Sequence, residues 1–206
     1  WMKAKESYIL KVLVHPIDSF WEMKFQKKAK RWIPPLLIIV YFLATIFERQ
    51  LRAFSFNEAY NTPLDLMYQI RIVILPVVLF CVSNWAVTTL MDGKGTMRDV
   101  FMVVAYSLVP LIIFKVLGAV ISGVLSLNED IYLYLIDGCG ILWFAIILVV
   151  GIMTVHQYSF KKMLATMLLT VAAAAIVIFV VLLFFNLFSE IFGFIYTIYR
   201  ELTLRI

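Results

Sequence analysis

Five long apolar runs dominate the chain and restrict its architecture more than any other feature. They cover roughly residues 33–48, 68–91, 99–126, 131–156 and 163–188. Most reach the ~20 residues that an α-helix needs to cross the hydrocarbon core of a bilayer. Composition agrees, with 64% of the 206 residues hydrophobic, 15% charged and a mean hydropathy of +0.97. That excess is too large for one soluble core. The expected class is an all-α polytopic membrane protein with five transmembrane helices and no soluble catalytic domain.

The flanks read differently. Residues 4–13 form a short helix candidate that His15-Pro16 breaks. Ser19 and Glu22 have the spacing of a capping box. The stretch from Phe20 to Trp32 interleaves aromatics with Lys and Arg, which suits an interfacial amphipathic helix more than a solvated linker. At the other end, Ile191, Phe194, Ile195, Ile198 and Leu202 fall near helical spacing, as in a terminal amphipathic helix. The expected division is a basic arm over 1–32, a five-helix membrane domain over 33–188 and an amphipathic helix over 189–206. Pro34 and Pro35 suit a first helical turn. Pro76 and Pro110 lie inside the second and third runs, where they should kink them.

Charge orients the runs. Twelve Lys and Arg residues fall in the N-terminal arm and the two loops of the same side, Lys94 with Arg98 and Lys161 with Lys162. Five fall on the other side: Arg49, Arg52, Arg71, Arg200 and Arg205. The positive-inside rule then puts the N-terminus in the cytoplasm and the C-terminus outside the inner (plasma) membrane. The basic residues sit at segment ends, where they meet anionic lipid headgroups, so nucleic acid is not an expected partner. The N-terminal segment lacks the apolar core of a cleaved signal peptide. Cys81 and Cys139 have no metal-ligand spacing and form no disulfide framework.

Polar residues inside apolar runs are the candidate sites. Asn84 to Gly95, NWAVTTLMDGKG, ends the second run. Asn84 and Thr88 share one helix face, and Trp85 and Thr89 the next. The Asn amide should face another helix, a water pocket or a ligand. Gly93 suits the left-handed position just past a helix end, with Asp92 and Lys94 beginning a short loop. The stretch is either a packed helix end or a ligand or partner surface made of Asn84, Trp85, Thr88, Thr89, Asp92, Gly93 and Lys94. GKGT is not a phosphate loop, because Thr88 stands where that motif needs glycine.

Lys115 lies in the third run, where a charge is costly and marks function by default. It either pairs with Asp137 in the fourth run or snorkels alone to the interface. Gly118-x3-Ser122, Ala119-x3-Gly123, Gly138, Gly140 and Gly151 permit close helix approach within the fold or in a homo-oligomer. His15 and His156 lack the neighbours of a metal site, and no catalytic set is apparent. No cofactor is expected.

Several of these segments carry a resemblance. HPIDSFWEMK, NWAVTTLMDGKGTMRDVF, AYSLVP, HQYS at 156–159 and FIYTIYRE are similar to the bacterial branch of the Yip domain (Ypt-interacting protein) family. The resemblance runs from about His15 to Arg205. It implies five membrane helices with a cytoplasmic N-terminus and no catalytic residue. It also implies, for some bacterial members, an accessory role beside ABC transport systems, whereas eukaryotic members bind small GTPases in vesicle traffic. The family is commonly uncharged at the site of Lys115, so the resemblance gives that residue no role. The expected function is a non-enzymatic accessory or scaffold subunit of a membrane complex, with transporter subunits as partners. The alternative is a small transporter or channel using Asn84, Thr88, Lys115 and Asp137.

Overall fold

The structure, a computed structural model, describes residues 8–30, 32–57 and 61–204. The expectations that fall on residues 4–7, and on Lys3, Lys5, Arg31 and Arg205, lie outside them. Among the described residues seven α-helices follow in order: α1 Tyr8–Val14, α2 Pro16–Phe25, α3 Ile33–Leu51, α4 Leu66–Leu90, α5 Met97–Ser122, α6 Asp130–His156 and α7 Phe160–Leu204. No strand occurs among the described residues. The last five helices are long and apolar enough to cross a membrane, so the five expected spans are present.

α5 is the hub. Its first half, from Val100 to Pro110, is almost wholly buried, with α3 and α6 its main neighbours. Both internal prolines, Pro76 in α4 and Pro110 in α5, lie within uninterrupted helices. Gly140 gives close contact between α5 and α6, since an added Cβ would come within 2.8 Å of the Phe114 side chain.

The N-terminal arm departs from the expected interfacial helix. Pro16 opens α2 at its first turn, three residues before Ser19. Ser19 is therefore inside the helix and donates to the His15 carbonyl at 2.8 Å, while Glu22 pairs with Lys11 at 2.7 Å and Lys28 at 3.4 Å. No capping box forms there, because the imino ring pre-sets the helical φ earlier. α2 stops at Phe25, and Lys27 has a left-handed φ of 52°. The arm is packed into the bundle as well. Val12, Phe20 and Met23 are buried, and Phe20 sits against Gly151, where a Cβ would meet its ring at 2.9 Å. Tyr8 meets Tyr106 edge-on with ring centroids 5.4 Å apart. Leu10, Val14, Ile17, Trp21 and Phe25 stay exposed at helical spacing, so both faces of the arm are apolar.

α7 also differs from expectation. One helix of 45 residues runs through the expected boundary at 188–189. Its first turns bury Met163, Thr166 and Thr170, chiefly against α4. From Ile178 to Thr203 every residue is exposed.

Candidate functional site

Two helices end side by side at the end of the bundle that carries α2. α4 closes on Met91, Asp92 turns left-handed with φ 54°, and the Gly93 N–H returns to the Thr88 carbonyl at 2.7 Å. α6 closes in the same way. Gln157 is left-handed with φ 57°, and the Tyr158 N–H returns to the Met153 carbonyl at 3.1 Å. Both are Schellman ends, which satisfy carbonyls that a helix terminus leaves open. Asp92, not Gly93, takes the left-handed position, which corrects the sequence reading. Aspartate tolerates that region better than most side chains.

The two glycines of DGKG serve close approach instead. A Cβ on Gly93 would come within 2.4 Å of His156 Nδ1, and one on Gly95 within 2.6 Å of its Cε1. The imidazole is 1% exposed and lies against the turn, with Nδ1 accepting the Gly95 N–H at 3.2 Å. Its other face stacks on Tyr158 at 5.4 Å, and Lys162 lies over the Tyr158 ring at 4.7 Å. The Tyr158 hydroxyl donates to the Met91 carbonyl at 3.1 Å. Burial and the nearby Asp92 carboxylate raise the Tyr158 phenol above its ordinary pKa.

Lys24 ties α2 to both ends. Its ammonium donates to the carbonyls of Lys94 and Val155, each at 2.5 Å. A cation there also meets the negative end of the α6 dipole. Burial pulls its pKa below the usual lysine value. Lys94 reaches the other way and donates to Gln157 Oε1 at 2.7 Å.

The predicted surface thus divides. Asn84 and Thr88 point inward: Asn84 Nδ2 donates to Thr170 Oγ1 on α7 at 3.1 Å, and Thr88 bonds back to the Asn84 carbonyl at 2.7 Å. Gly93 is half-buried under His156. Trp85, Thr89, Asp92 and Lys94 remain exposed. Sequence reasoning missed Lys24 and weighed His156 only as a metal ligand. Nothing local marks either as a keystone, since their partners lie 61 to 131 residues away.

The opposite end holds the charged residues. Lys115 pairs with Glu48 at 2.5 Å, not with Asp137. Asp137 binds Arg52 at 2.7 Å, and Arg52 also reaches Glu48 at 3.4 Å. The chain Lys115–Glu48–Arg52–Asp137 links α5, α3 and α6 and is neutral overall. Asp137 instead faces Gly118, one turn beyond Lys115, where a Cβ would lie 3.5 Å from Oδ1. The Glu48-x3-Arg52 spacing was the signal available, because it puts both groups on one helix face. These side chains line a cleft of about 960 Å³ between α3, α4, α5 and α6. Among the described residues, no group of three or more His, Cys, Asp or Glu could hold a metal ion.

Five apolar helices with buried polar contacts between them define a polytopic α-helical membrane protein. The model of the Yip1 domain matches residues 10–183, and the chain belongs to that family. The match takes in α2 and most of α1, and it ends in α7 close to where that helix loses its neighbours. No curated protein and no solved structure matches the chain.

Proposed function

We propose that the chain is a non-enzymatic accessory or scaffold subunit that docks a partner membrane complex, with transporter subunits as the partner class. One observation carries this reading. The DGKG turn is held from three elements, α2, α4 and α6, yet Trp85, Thr89, Asp92 and Lys94 stay exposed around it. A surface fixed before binding loses little entropy when a partner arrives. Positive charge at this end favours the cytoplasmic side and anionic headgroups.

The test is purification of the full chain from its host membranes after cross-linking, in mild detergent, beside an Asp92→Asn, Lys94→Gln variant. Asparagine keeps the left-handed turn accessible. A stoichiometric transporter subunit, lost in the variant, is the expected result. No partner in either sample would overturn the reading, and a partner kept by the variant would move the surface elsewhere.

The alternative, a transporter using Asn84, Thr88, Lys115 and Asp137, has less support. Asn84 and Thr88 are buried against α7 at one end, and the charges line a cleft at the other. The packed stretch of α5 from Val103 to Val109 lies between. Flux through proteoliposomes that depends on Lys115 would restore it.

A further inference from the structure

We propose that the cleft at the end opposite Lys24 binds a phospholipid with a zwitterionic headgroup. Its volume of about 960 Å³ is at the upper end of the size usual for ligand sites. Its walls carry three cations, Arg49, Arg52 and Lys115, and three carboxylates, Glu48, Asp130 and Asp137. A balanced wall gives no net attraction for a purely anionic or purely cationic ligand, but it suits one that carries both signs.

Hydrogen-bonding capacity is left over within the balance. Arg52 uses its two terminal nitrogens on Glu48 and Asp137, while Nε is buried without a partner. Lys115 has one carboxylate partner, Glu48, and an ammonium has three N–H groups. Gln69 lines the cleft, is 8% exposed and makes no side-chain hydrogen bond among the described residues. Asp130 has no ion pair among them either. These unused donors and acceptors face the cleft and are available to an occupant that carries both signs. A phosphate accepts from Lys115, Gln69 and the remaining terminal N–H groups of Arg52, and an amine donates to Asp130 or to the free oxygen of Asp137.

The rim supplies the lipid character. Ile72, Tyr134 and Ile141 line the cleft and are also among the exposed apolar residues of the bundle surface. A headgroup seated inside therefore has apolar wall beside it for acyl chains. A small polar solute has no use for that wall.

The experiment uses the full chain, delipidated in detergent and followed by native mass spectrometry. The probes are phosphatidylethanolamine, phosphatidylglycerol and glycerophosphoethanolamine, the headgroup without tails. Saturable binding of one phosphatidylethanolamine per chain is expected, with phosphatidylglycerol weaker by roughly fivefold or more, the worth of about one lost polar contact. Ile141→Trp, which narrows the rim without touching a charge, should weaken binding with an unchanged unfolding midpoint. The pair Glu48→Gln, Lys115→Met should weaken it as well. Equal, non-saturating binding of both lipids would overturn the proposal in favour of ordinary lipid solvation. Tight binding of glycerophosphoethanolamine alone would overturn the lipid assignment. Full retention in Ile141→Trp would place the lipid elsewhere.

Discussion

His156 is fixed by what its neighbours lack. The missing side chains of Gly93 and Gly95 leave room for its ring. Gly95→Ala should therefore destabilise the fold by about 1–3 kcal/mol, the usual cost of overpacking. Denaturation in detergent measures it, and the cost should be smaller in a His156→Ala background, where part of the clash is gone. Equal costs in both backgrounds would show that the ring is not what the glycine accommodates. Lys24 is the second such residue. Lys24→Met leaves two carbonyls without their donor. The expected loss is about 1–3 kcal/mol, with faster amide exchange confined to α1 and α2. Unchanged exchange there would mean that the arm is held by its apolar contacts, Val12, Phe20 and Met23 among them, without Lys24.

The end of α3 is the centre of the charge network at the scale of elements. Glu48, in the last turn of α3, holds Lys115 and Arg52 together. Removing one partner of a buried ion pair typically costs about 3–5 kcal/mol, because the other charge is left uncompensated. Lys115 and Arg52 keep part of their exposure, so Glu48→Gln should lose less than that, about 1–3 kcal/mol, and Lys115→Met should recover part of it. A double-mutant cycle should find Lys115 coupled more strongly to Glu48, its direct partner, than to Asp137, which it reaches only through Glu48 and Arg52. Strong coupling to Asp137 would reverse the pairing described above.

The arm carries a separate acid. The hydrogen bond from Lys11, helped by Lys28, holds the Glu22 carboxyl below its usual range. Because the folded-state value is the lower one, its stabilisation is complete above the ordinary carboxylate pKa. It is lost as pH falls through the folded value. Amide exchange in α1 and α2 should therefore rise on acidification below that range, and Glu22→Gln should remove the step.

The whole molecule is a bundle around α5 with one helix extending beyond it. At 1.5 Å per residue, α7 is about 68 Å long, against a hydrocarbon core of about 30 Å. Residues from Ile178 onward touch little of the chain. Truncation after Asn186 should leave exchange protection in α2 to α6 unchanged. Loss of protection in α4 would show that the distal helix supports the bundle. Removing the proximal turns is different, since Thr166 meets Met91 at the close of α4 and Thr170 meets Asn84 within it.

What the sequence alone determined was the set of spans. Hydrocarbon offers no partner to a free peptide group, so each long apolar run becomes a helix wherever it lies in the chain. The proline-started turn of α3 and the inward amide of Asn84 were readable for the same local reason. The pairings were not. Whether Lys115 meets Glu48 or Asp137 depends on how α3, α5 and α6 are rotated against one another, and that rotation is set by packing all along their length. Only the tertiary structure brought Lys24, Gly95 and His156 together, because their contact is made by three segments that share no local pattern.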